Sequence, residues 1–79
     1  MTQAQTLAKT LNVLARGPQF NYSKARATAR QDGNVNWAAT KAHNEDFNAE
    51  VDGCESFVMN DGSVAEWSSP SSSYTPKAH

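Results

Sequence analysis

The chain has 79 residues, room for one domain and no more, with a formal net charge of -1 at pH 7 and a pI near 6.0. Twelve residues are alanine, isoleucine is absent, and Leu, Val and Phe together number 11, a thin supply for a self-sufficient core. The small net charge argues against disorder of the whole chain, and a lone cysteine, Cys54, excludes a disulfide framework and points to a reducing, cytoplasmic setting.

The net charge hides a polarity. Residues 1–30 carry Lys9, Arg16, Lys24, Arg26 and Arg30 and no acid. Residues 31–79 hold all 8 acids against Lys41 and Lys77. The first segment has no continuous apolar run, so it reads neither as a signal peptide nor as a membrane span.

Thr2 is placed to cap a first helix running to about Ala15. Ala4, Leu7, Leu11 and Leu14 recur at spacings of three and four and form its apolar stripe. Gly17 is expected as a left-handed cap, and Pro18 forbids continuation. Asn21 or Ser23 can cap a second helix to about Gln31. Tyr22, Ala25 and Ala29 share one face of it, and Arg26 and Arg30, four apart, call for an acidic neighbour. Asp32-Gly33-Asn34 reads as a turn.

A third helix, capped by Asn34 or Asn36, is expected to run to Asp52 and stop at Gly53. Trp37, Thr40, Asn44, Phe47 and Val51 lie together on one face. Ala38, Ala42 and Ala49 form a second, small-residue face, which predicts a helix packed between neighbours.

From Cys54 the period changes to two. Phe57-Val58-Met59 and Val64-Ala65-Glu66-Trp67 flank Asn60-Asp61-Gly62, a β-hairpin pattern. A three-residue loop with Gly62 left-handed pairs Met59 with Ser63. It puts Phe57, Met59, Ala65 and Trp67 on one face and keeps Glu66 off it. Residues 68–79, rich in Ser and Pro, read as a flexible low-complexity tail beyond a domain spanning 1–67. The fold class is therefore α+β: three short helices, a C-terminal β-hairpin and a disordered tail. The expected buried set is Leu7, Leu11, Leu14, Trp37, Phe47, Val51, Phe57 and Trp67.

Catalytic and metal chemistry find little support. His43, Glu45, Asp46 and Glu50 neighbour one another on the third helix but lack a second histidine or cysteine at ligand spacing. With Asp52 they read as a solvated acidic patch. Cys54 lies between Asp52 and Glu55, which would raise a thiol pKa rather than lower it. No glycine-rich phosphate loop or nucleophile elbow occurs. No cofactor, no metal and no enzymatic activity are expected.

The basic first third is the stronger functional signal. Phe20 and Tyr22 interleave with Lys24, Arg26 and Arg30, and Arg16 precedes them. Trp67 and Tyr74 are further residues of the type that anchors contacts. These eight make a candidate surface for another protein or a second copy of the chain, with complementary charge setting register. The resulting function is a small non-enzymatic binding module, an adaptor or inhibitor. In general character the chain resembles the accessory proteins that phages encode, a likeness attached to no particular residues.

The alternative is a nucleic-acid binder of winged-helix type, using Asn34, Asn36, Thr40 and Lys41 as readers on the third helix. The acids of that helix and the low pI weigh against it.

Overall fold

The computed structural model describes residues 1–46, 55–68 and 70–77. Helices α1 (Gln3–Leu14), α2 (Tyr22–Arg30) and α3 (Trp37–Asp46) precede an antiparallel sheet. Its strands β1 (Phe57–Val58), β2 (Val64–Ser68) and β3 (Ser73–Lys77) lie in the order β1-β2-β3.

α1 starts on a complete capping box. Thr2 Oγ1 accepts from the Gln5 N–H at 3.1 Å, and Gln5 Oε1 accepts from the Thr2 N–H at 2.7 Å. The next two donors of the first turn are taken by the β1–β2 loop. The Gln3 N–H reaches Asp61 Oδ2 at 2.8 Å, and the Ala4 N–H reaches Ser63 Oγ at 3.0 Å. The helix start is thereby pinned to the hairpin, with a carboxylate at its positive end.

Ala4, Leu7, Ala8 and Leu11 face inward, and Ala15 follows them into the core. Leu14, expected in the stripe, is 45% exposed. Ala15, four residues after Leu11, takes the inward position instead. Gly17 does not supply the expected left-handed cap: α1 ends through Ala15 in right-handed conformation, and Gly62 is the glycine with positive φ among the described residues.

Asn21 caps α2, its Oδ1 accepting from the Lys24 N–H at 3.0 Å, and Ala25 and Ala29 turn inward. Asp32 Oδ1 then accepts from the Asn34 N–H at 2.8 Å, closing the expected turn. Asn36 caps α3 through the Ala39 N–H at 3.1 Å. The inner face of α3 is polar, with Thr40 and Asn44 buried. Trp37, expected in the core, is 43% exposed. Ala38 and Ala42 are exposed too, so α3 covers the sheet from one side and is not packed between neighbours. The expected reach of α3 to Asp52, with Phe47, Ala49, Val51 and Gly53, lies outside the described residues.

The hairpin has the expected register. Phe57 pairs with Ala65 and Val58 with Val64, while the Met59 N–H donates to the Ser63 carbonyl at 2.8 Å. Gly62 holds φ 86, the left-handed value the loop requires. Phe57, Met59 and Ala65 are buried, with Trp67 packed against them.

The Ser/Pro-rich segment, expected to be a disordered tail, supplies a strand. Ser73–Lys77 is β3, paired along β2 from Ser68↔Ser73 to Val64↔Lys77, and its Tyr74 is only 4% exposed. Pro76 is tolerated because β3 is an edge strand. Tyr74, two residues earlier, turns its N–H away from β2, so the hydrogen that Pro76 lacks would also have pointed outward.

Both sheet edges are covered by helix side chains. On β3, Asn12 of α1 accepts from the Tyr74 N–H at 2.8 Å and donates to the Tyr74 carbonyl at 2.9 Å. On β1, Asn44 of α3 makes the same pair of bonds to Ser56, at 2.9 and 3.0 Å. Thr40 Oγ1 accepts from the Val58 N–H at 2.9 Å and donates to its carbonyl at 3.3 Å. These side chains stand in for neighbouring strands and satisfy edge groups that would otherwise recruit another chain.

Candidate functional site

Four of the aromatic residues singled out in the sequence converge. Phe20 and Tyr22 come from the α1–α2 junction, Trp67 from β2 and Tyr74 from β3. Ring centroids lie 4.7 Å apart for Phe20–Trp67, 5.0 Å for Tyr22–Trp67, 5.3 Å for Trp67–Tyr74 and 5.5 Å for Phe20–Tyr22. The tilted and edge-on arrangements suit the ring quadrupoles. Tyr74 anchors the group to the core, its hydroxyl donating to the Glu55 carbonyl at 2.8 Å and its ring 5.7 Å from that of Phe57. Exposure rises outward through half-buried Phe20 and Trp67 to Tyr22 at 38%.

Beside this cluster opens a cleft of about 420 Å³, lined by Arg16, Gly17, Pro18, Gln19, Phe20, Tyr22, Ser71 and Ser72. Proline forces the irregular path of its near wall, since α1 cannot continue through Pro18. Ser72, in the β2–β3 turn, forms part of the far wall with φ 48. Arg16 Nε donates to the Asn12 carbonyl at 3.3 Å, and the side chain stands exposed at the rim. The indole N–H of Trp67 is buried and meets no acceptor among the described residues. An orphaned buried donor costs about 1–3 kcal/mol.

The basic residues part company. Arg26, expected to need an acid, has one in Glu55, its Nε lying 2.7 Å from Glu55 Oε2. Lys24 is exposed on the first turn of α2. Arg30 belongs to a second cleft of about 320 Å³, which it lines with Trp37, Thr40, Lys41, Asn44 and Glu55. The sequence reading missed this surface by assigning Trp37 to the core. Its signal was position: a residue directly after the Asn36 cap points its side chain back past the helix start. Asn36 and Thr40, considered as base readers, are engaged as a helix cap and as the cover of β1. Thr40 is buried, 3% exposed, with its hydroxyl proton donated to the Val58 carbonyl.

Of the acidic patch, exposed Glu45 lies 4.0 Å from Lys41 one turn away, and Asp46 ends α3. Glu50 and Asp52, like Cys54, lie outside the described residues. Among the described residues no group of three His, Cys, Asp or Glu side chains could hold a metal ion, and no helix is long and apolar enough to cross a membrane.

Asp61 has a carboxyl pKa held below its ordinary 3.8. The Gln3 N–H contributes most, followed by the hydroxyl and N–H of Ser63. This carboxylate joins two elements and sits in neither cleft.

Comparison with known protein families, with characterised proteins and with solved structures finds no match for this chain.

Proposed function

We propose that this chain is a small non-enzymatic binding module that contacts another protein through the aromatic cleft at the α1–α2 junction. The observation that carries the reading is the clustering of Phe20, Tyr22, Trp67 and Tyr74 from three separate stretches of chain, with Phe20 and Tyr22 at its outer side lining an open cleft. Tyr74 is buried in the core, and Phe20 and Trp67 pack against it half-buried. Tyr22 remains well exposed, and the buried indole N–H of Trp67 meets no acceptor among the described residues. Aromatic side chains with a nearby arginine are the residue types that dominate contact energy. The same reading places the module in the cytoplasm, because small secreted domains rely on paired cysteines and this chain has a single Cys54.

A photo-reactive amino acid at Gln19, in the cleft, tests the reading against one at Lys41, in the second cleft. In the native cell, position 19 should cross-link a defined protein, position 41 should not, and Tyr22→Ala should abolish the product. A cross-linked dimer of the chain itself would identify the partner as a second copy. No product from position 19, or one indifferent to Tyr22→Ala, refutes the proposal.

A second reading, nucleic-acid binding, rests on exposed Trp37 standing with Arg30 and Lys41 in the second cleft. Stacking on an indole beside two cations suits a single strand. This reading predicts salt-sensitive binding of an oligonucleotide that is lost in Trp37→Ala.

A further inference from the structure

We infer that the partner segment received by the aromatic cleft is acidic, seating a carboxylate on Arg16 and an apolar side chain against Phe20 and Tyr22. The inference rests on the protein-binding reading above and adds the chemistry of the partner.

Arg16 is the one charged side chain among the residues lining the cleft. Its Nε bond to the Asn12 carbonyl holds the guanidinium at the rim. Among the described residues no acid pairs with it, whereas Arg26 is already neutralised by Glu55. The surroundings add to the field. Lys9 on α1 and Lys24 on α2 are exposed, and the chain has no acidic residue before Asp32. A planar guanidinium with donors beyond Nε matches a carboxylate in bidentate geometry, and a basic partner would meet like charge at Arg16. The rings and Pro18 beside Arg16 supply an apolar floor for an anchor side chain.

A nucleic-acid strand fits this cleft less well. Backbone tracking needs a row of cations beside the stacking rings. Here Arg26 is committed to Glu55, and Arg30 lies in the other cleft.

Fluorescence anisotropy on the full chain tests the inference. The ligands are a labelled peptide of glutamates around a central tryptophan, the same peptide with lysine for glutamate, and an oligothymidylate. The glutamate peptide should bind, and the lysine peptide should not. Arg16→Ala should weaken binding about fivefold, the scale of an exposed ion pair. Arg30→Ala should leave it unchanged, and added salt should weaken it. Circular dichroism of Arg16→Ala confirms that the fold is retained.

Equal binding of the two peptides, no binding of the glutamate peptide, or an Arg16→Ala variant indistinguishable from the parent overturns the inference. Tighter binding of the oligothymidylate, lost in Arg16→Ala, overturns it in favour of nucleic acid. A cross-link from position 19 that persists when the glutamate peptide fails to bind refutes the acidic partner and leaves the protein-binding module standing.

Discussion

Asn12→Ala should remove the cover from the β3 edge and destabilise the domain measurably. The side-chain amide makes two bonds to one residue, accepting from the Tyr74 N–H at 2.8 Å and donating to its carbonyl at 2.9 Å. Each bond is worth about 1 kcal/mol net, so the pair contributes about 2 kcal/mol. Alanine recovers about 0.5 kcal/mol through its better helix propensity. The expected loss is therefore about 1.5 kcal/mol, or roughly 6–12 °C in Tm for a domain of this size. Asn12→Asp is the sharper variant. It keeps an acceptor for the N–H but sets a carboxylate against the Tyr74 carbonyl, and should cost at least as much as alanine. Urea unfolding reads the loss as a lower midpoint at unchanged slope. Hydrogen exchange should show reduced protection of the Tyr74 amide. Val13→Ala, at a neighbouring position that is 70% exposed, serves as the control and should change little. An Asn12→Ala variant within about 0.3 kcal/mol of the parent, or an Asn12→Asp variant as stable as the parent, would refute the edge-cover reasoning.

Two further perturbations follow from the same geometry. Asp61 has its native pKa lowered, so its contribution to stability is fully present above the ordinary value of 3.8 and is lost as pH falls through the native value. Asp61→Asn should be less stable than the parent at neutral pH, and their Tm curves should converge on acidification; parallel curves would show that the carboxylate does not link α1 to the hairpin. Ser72 holds φ 48, a conformation that costs a non-glycine residue about 1 kcal/mol. Ser72→Gly should therefore raise stability by about 0.5–1 kcal/mol in urea unfolding, and a destabilised variant would contradict it.

Local chemistry decided a good part of this fold, and that part was readable from the sequence. The capping residue Thr2, the Leu7–Leu11 spacing and Pro18 mark the extent of α1 locally. Asn21 and Asn36 start α2 and α3, and a left-handed glycine at position 62 sets the hairpin register. Each of these rests on residues within a few positions of one another, where pattern and backbone sterics suffice. The aromatic and basic residues of the candidate surface were visible as residue types, but their grouping was not. Phe20, Tyr22, Trp67 and Tyr74 span 55 positions of sequence, and nothing local says that they meet.

Tertiary structure alone decided β3, the inward polar face of α3 and the outward turn of Trp37. Ser73–Lys77 has no apolar periodicity, one inward aromatic and a proline, so its own sequence does not specify a strand. It becomes one because β2 offers an open edge on one side and Asn12, 62 residues away, offers an amide on the other. Thr40 and Asn44 are buried for the same reason, their side chains extending the cover of β1 beyond the Val35↔Met59 bridge. Long-range backbone pairing satisfies polar groups regardless of how apolar the segment is, and hydrophobic pattern cannot reveal it.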